Sequence, residues 1–172
     1  MNTTLRVAAL SLMSVAVLAG CKKNTKETPP PPPAVEPPPA MTQPAPTSGV
    51  YGPSDLDTDA CLRQRVVYFD FDQDALKPEF QSIVACHAKY LRDRPSARIN
   101  LEGHADERGS REYNLGLGER RGNAVSSALQ AAGGSGAQLS VVSYGEERPT
   151  CTESNEDCWA RNRRVEIVYT AK

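Results

Sequence analysis

The 172-residue sequence predicts an α+β domain, a four-stranded mixed sheet with helices packed on one face, preceded by a disordered tether. Three observations lead there. Four short β-branched or aromatic stretches (residues 66–71, 97–102, 139–144 and 164–169) are separated by two stretches of helical period. Their order, strand, helix, strand, helix, strand, loop or short helix, strand, suits a mixed sheet covered on one side. Eleven of the fourteen prolines crowd between positions 29 and 53, ahead of the first strand, in a composition that builds no core.

Residues 1–20 carry one basic residue, Arg6, then an apolar run and no acid, which reads as an export signal too short to span a bilayer. The run ends in Leu18-Ala19-Gly20-Cys21, and polar Lys22-Lys23-Asn24 follows. Small residues directly before a cysteine resemble the lipobox of bacterial lipoproteins, whose cysteine is acylated and becomes the new N-terminus. Residues 21–53 are then an anchor and a proline-rich leash, reaching at most ~100 Å at ~3.1 Å per residue. Residues 54–172 make one domain, with 16 Lys+Arg against 19 Asp+Glu interleaved along it, which disfavours nucleic acid and bulk anionic membrane as partners.

Within that domain, Val66-Val67-Tyr68-Phe69-Asp70-Phe71 reads as a buried strand with an acidic exit at Asp72. Pro78 opens a helix in which Phe80, Ile83, Val84, His87 and Leu91 recur at helical steps, and Arg94-Pro95 ends it. Ala97, Ile99 and Leu101 alternate with Arg98, Asn100 and Glu102 in a strand with one face to the core, running straight into Gly103. Ser110 is placed to cap the second long helix, which stops at Gly133-Gly134. Gly116, Gly118 and Gly122 weaken that helix by ~1 kcal/mol each relative to alanine, so close approach by a ligand or by the loop is the expected compensation.

The chemistry concentrates at Gly103-His104-Ala105-Asp106-Glu107-Arg108-Gly109 and the helix after it. Asn114, Leu117 and Arg121 fall on one helical stripe continuous with the apolar face, so Arg121 is expected to be partly buried and in need of a carboxylate or carbonyl. Asp106 is the nearest candidate. Either the two simply pair, or they receive a ligand bearing an ammonium and a carboxylate on one carbon, Asp106 taking the first and Arg121 the second. Asp72 adds an acceptor if the first two strands lie side by side. His87 reads as a packed core histidine, and Glu107-Arg108 and Glu119-Arg120 as solvated surface charges. His104 with Asp106 has no nucleophile placed with it, so no enzymatic activity is expected. A wall hydrolase using Asp106 or Glu107 as its acid is the alternative from another class, but two adjacent carboxylates in a small loop do not span a cleft.

Four cysteines remain in the domain, and an exported chain places them in an oxidising compartment. Cys151 and Cys158 close a short polar loop, which leaves Cys61 to pair with Cys86. By loop entropy these bonds contribute about 2.5 and about 3.5 kcal/mol. No ligand spacing suggests a metal site, and Trp159 is expected to pack beside the Cys151–Cys158 loop.

The motifs in their order, Val67-Tyr68-Phe69-Asp70-Phe71-Asp72, Gly103–Gly109, Glu112-Tyr113-Asn114, Leu117-Gly118-Glu119-Arg120-Arg121, Ser143-Tyr144-Gly145 and Asn162-Arg163-Arg164, resemble the peptidoglycan-associated lipoproteins of the Tol-Pal system, within the wider class of OmpA-like peptidoglycan-binding domains. The resemblance covers about residues 65–169. It implies an OmpA-like fold and a non-catalytic periplasmic domain, lipid-anchored through Cys21 in the outer membrane, that binds meso-diaminopimelate in uncrosslinked peptidoglycan stems and serves envelope integrity and cell division. Lys22 agrees with outer-membrane sorting in that family. Carried over by position, Asp106 takes the ammonium and Arg121 the carboxylate, with Phe71, Asp72, Asn114, Leu117 and Arg163 completing the site. TolB is the implied protein partner on an overlapping surface, and a pure TolB-interaction module is the third reading. The four domain cysteines depart from the family's pattern.

Overall fold

A computed structural model describes residues 46 and 48–172; the expected signal, the Cys21 anchor and most of the tether lie outside the described residues. A short helix α1 (Asp55–Thr58) leads into β1 (Val66–Tyr68), and a 3₁₀ turn (Pro78–Phe80) into α2 (Gln81–Asp93). Then follow β2 (Arg98–His104), α3 (Arg111–Ala131), a second 3₁₀ turn, β3 (Leu139–Gly145), α4 (Glu156–Asn162) and β4 (Arg164–Ala171).

The four strands form one sheet in the order β1-β4-β2-β3, with β4 antiparallel to both neighbours and β2 parallel to β3. Val67, Ile99, Leu101, Val165 and Ile167 point to one face and join Ile83, Val84, Leu91, Val125 and Leu129 of α2 and α3 in a single core. Alternate residues such as Asn100, Glu102 and Glu166 stay partly exposed, as a half-covered sheet requires. The four-stranded mixed sheet read from the sequence is therefore the one observed. Its first strand is shorter than expected: pairing ends at Tyr68 opposite Arg164, because β4 begins there and offers nothing further to pair with. Phe69 is buried all the same, its N–H donating to the Arg163 carbonyl at 2.9 Å, but Phe71 is 54% exposed.

The folded part also starts earlier than residue 54. Tyr51 is buried in the core, packs on Tyr90 with ring centroids 6.1 Å apart, and donates its backbone N–H to Asp93 Oδ2 at 2.9 Å. His87 is a packed core histidine, its ring nitrogens 2.8 Å from the Tyr169 hydroxyl and 2.9 Å from the Gln64 carbonyl. Disulfides join Cys61 to Cys86 inside the core and Cys151 to Cys158 in the connection between β3 and β4.

Two of the three mid-helix glycines have a structural reason, and it is the sheet. A Cβ on Gly118 would stand 2.3 Å from Ser143 Oγ, and one on Gly122 2.5 Å from Val141 Cγ1. From the strand side, a Cβ on Gly103 would meet the Gly118 carbonyl oxygen at 1.9 Å. Glycine at these positions lets α3 lie directly on β2 and β3, with no ligand or loop between them. Nothing in the structure explains Gly116.

Candidate functional site

A cleft of about 200 Å³ opens where the loop after β1, the loop after β2 and the first turns of α3 converge. The loop after β2 is shaped by its own residues. Asp106 Oδ1 accepts the backbone N–H of Arg108 at 3.1 Å, an Asx turn, and Gly109 follows at φ 117°, a conformation side chains rarely adopt. Ser110 then caps α3, accepting from the Tyr113 N–H at 3.2 Å as its position in the sequence predicts. Asn114 closes the loop by donating to the carbonyls of Asp106 and Arg108 at 3.1 and 3.2 Å, and also to Glu146. Its amide N–H groups are therefore spent on the protein, although the residue lines the cleft.

Arg121 lies at the back, wholly buried. Its Nε, Nη1 and Nη2 donate to the carbonyls of Gln73, His104 and Asp70 at 2.8, 2.8 and 3.1 Å, and its guanidinium stacks 5.3 Å from the centre of the Phe69 ring. Burial pulls its pKa down to about 10, opposed by the attraction of Asp106, so it stays charged at neutral pH. Of the partners expected for it, a carboxylate or a carbonyl, Arg121 takes carbonyls, and two details are corrected: its degree of burial and Asp106 as its nearest partner. Arg121 is fully rather than partly buried, and its partners are three carbonyls, with no carboxylate within ion-pairing distance among the described residues. The loops after β1 and β2 both turn their carbonyls inward, which occupies three N–H groups of the guanidinium without Asp106.

Asp106, only 3% exposed, spends its carboxylate on two other arginines. Arg108 grips it with two side-chain bonds of 3.1 and 2.7 Å, and Arg163 reaches Oδ2 at 3.2 Å. Burial works against its ionisation, but the hydrogen bonds from Arg108 and Arg163 prevail and hold its pKa below the usual carboxylate range. Arg163 is buried behind Asp106, also donating to the Phe69 carbonyl at 3.1 Å and to Glu156 at 2.6 Å; it supports the acid from outside the cleft lining.

The expected solvated charge at Arg108 is the largest departure. Its guanidinium lies between two aromatic rings, 4.0 Å from the centre of Phe71 and 4.1 Å from that of Trp159, while pairing with Asp106. Trp159 accordingly turns towards Arg108, and its indole N–H donates to Glu107 Oε1 at 3.0 Å. Asp72 reaches the cleft by another route than the one anticipated. β4 separates β1 from β2, so the two strands are not neighbours. Instead Asp72 adopts a left-handed backbone, φ 56°, and its carboxylate accepts the Tyr113 hydroxyl across the mouth. Phe71 and Tyr113, 54% and 45% exposed, flank that mouth, and Leu117 forms its apolar wall.

The cleft thus gathers Phe71, Asp72, Asp106, Asn114, Leu117 and Arg121, and adds Arg108, Gly109 and Tyr113. Aspartate two residues before arginine, ahead of a capped helix, was the available signal for Arg108; its aromatic neighbours come from distant parts of the chain and leave no local pattern. His104 is buried with neither ring nitrogen hydrogen-bonded, and lies on the Glu166 side at 4.0 Å. It forms no acid–base pair with Asp106.

The half-covered mixed sheet, with its cleft beside the second long helix, belongs to a member of the OmpA family, whose model matches residues 68–163. Among relatives, the peptidoglycan-associated lipoprotein of Pseudomonas putida is 44% identical over 163 residues, covering 94% of this chain and 95% of that protein. The crystal structure of the peptidoglycan-associated lipoprotein from Burkholderia pseudomallei matches with a TM-score of 0.66 at 41% identity, over 67% of this chain and 98% of that one. The C-terminal domain of Helicobacter pylori MotB, at 24% identity and a TM-score of 0.56 over 62% of this chain and 83% of that one, shares the fold.

Proposed function

We propose that this chain is an outer-membrane lipoprotein, anchored through Cys21, whose domain holds peptidoglycan non-covalently by the meso-diaminopimelate of its stem peptides. One observation carries the ligand assignment: the cleft is lined by two carboxylates, Asp72 and Asp106, and two guanidiniums, Arg108 and Arg121, so it is electrically balanced and suits a zwitterion over a simple cation or anion. The relatives bear the name of peptidoglycan-associated lipoproteins, which supports both the wall and the anchor.

Binding proceeds as an exchange of ion pairs. The free end of diaminopimelate carries an ammonium and a carboxylate on one carbon. The ammonium takes Asp106 from Arg108, the more exposed of the two arginines that hold that carboxylate. The ligand carboxylate then receives Arg108 together with the N–H groups of Arg121 that its three carbonyl bonds leave over. Leu117 and Phe71 cover the aliphatic stem. Chemistry on the wall is disfavoured: Asp106 and Glu107 both have lowered pKa values, so neither keeps a proton to donate at neutral pH. TolB, the partner implied by the resemblance, would meet the exposed Phe71–Tyr113 mouth and compete with the wall.

Pull-down of diaminopimelate-type sacculi tests the assignment. Asp106→Asn, isosteric and uncharged, is expected to lose sacculus binding while keeping its circular-dichroism spectrum. Equal binding by the variant and the parent would remove Asp106 from the site.

A further inference from the structure

We infer that the Cys151–Cys158 disulfide is a positioning element of the binding cleft, holding α4 so that Glu156, Trp159 and Arg163 keep Asp106 and Arg108 in place. The inference rests on the reading of the cleft as a ligand site.

All three side chains come from α4 or the residue just after it. Glu156 Oε1 accepts from Arg163 at 2.6 Å, and its other oxygen stands 3.7 Å from Arg108 Nη2. Trp159 forms one side of the aromatic clamp on Arg108, and Arg163 donates to Asp106. Glu156 opens the helix and Arg163 caps its end, so their separation holds only while α4 is formed.

Seven residues do not make a stable helix by themselves. Nor does the main core hold α4, for the core cluster includes none of its residues. Apart from the cleft contacts themselves and the bonds of Trp159 to Glu107 and Arg163 to Phe69, its restraints are local. Asn155 accepts the Cys158 N–H at 3.0 Å as the N-cap, and Asn162 Oδ1 gathers Thr150 and Cys151 N–H groups at 2.9 and 3.2 Å near the other end. The disulfide joins these two ends of the loop, tying the buried Cys158 in the first half of the helix to the Cys151 that Asn162 holds. Without it the turn bearing Glu156 loses its covalent tie to Cys151 and keeps the Asn155 cap and the ion pairs of Glu156 itself with Arg163 and Arg108. The Cys61–Cys86 bond sits in the core and supports no cleft residue directly.

The two bonds should therefore have separable effects. The full-length protein, the Cys151→Ser/Cys158→Ser double variant and the Cys61→Ser/Cys86→Ser double variant would be titrated calorimetrically with a muropeptide ending in meso-diaminopimelate. Their Tm values and the emission maximum of Trp159, the sole tryptophan, would be recorded without ligand. The Cys151/Cys158 variant is expected to bind about tenfold more weakly, because two or three side chains must be re-ordered on binding, with a red-shifted emission maximum and a Tm lowered by less than loss of the other bond lowers it. The Cys61/Cys86 variant is expected to lower Tm and, below it, to bind as the parent does. Unchanged affinity and emission in the first variant would overturn the inference. If the parent itself does not bind, the proposed ligand is wrong, and the Trp159 emission still decides whether the disulfide positions α4.

Discussion

At the residue scale, Arg108 is where the site's specificity is set. It occupies Asp106 in the free protein, so an incoming ammonium must displace it, and a ligand without an adjacent carboxylate leaves the displaced guanidinium with only the longer contact to Glu156, at 3.7 Å, in place of its paired bonds. Arg108→Ala should thus narrow the preference for diaminopimelate-ending over lysine-ending muropeptides by roughly tenfold, the worth of about one charge-assisted hydrogen bond. Competition titration of the two peptides measures this; an unchanged ratio would contradict the exchange. The two histidines make a second residue-scale statement. Burial, opposed at His87 by the Gln64 carbonyl and reinforced at His104 by Arg164, lowers both to about 4. Against an unfolded value near 6.5, the folded state favours neutral rings, so this stability is full above that pH and is lost as pH falls to about 4. For His87 the whole loss is about 3 kcal/mol. Urea unfolding at pH 7 and pH 5 should show most of it, and equal midpoints would contradict the burial argument.

At the element scale, α3 and the loop before it were readable because their signals are local: a capping serine, a glycine stop and a three-and-four residue stripe placed Asn114, Leu117 and Arg121 on one buried face. The same stripe could not say what Arg121 would meet. Its carbonyl partners lie 17 to 51 residues away and are turned inward by two loops with no periodic pattern. The length of β1 escaped for a similar reason, since a strand ends where its partner does, and β4 is nearly a hundred residues further on. The close seat of α3 on the sheet leads to a sharp expectation. Gly103→Ala puts a methyl 1.9 Å from the Gly118 carbonyl oxygen, backbone against backbone, and should destabilise the domain by about 3 kcal/mol or more. Chemical denaturation is the check, and a loss below about 1 kcal/mol would mean that α3 can lift from β2 cheaply.

At the scale of the whole molecule, strand and helix order sufficed for the fold class, because alternating elements of this kind leave few ways to cover one sheet face. The acid and base of the cleft were also legible, as neighbours in a loop and a helix stripe. What joined them into one site was long-range: β1's exit loop brings Phe71 and Asp72, and α4 brings Trp159 and the arginine behind Asp106. The central claim is that these parts form a receptor for a zwitterion, with the ion pairs exchanging when it binds. A crystal structure of the domain with a meso-diaminopimelate-ending peptide tests it most directly. The predicted result is the ligand ammonium on Asp106, its carboxylate on Arg121 and Arg108, and the Arg108–Asp106 pair broken. A peptide bound elsewhere, or bound in the cleft with that pair intact, would contradict it.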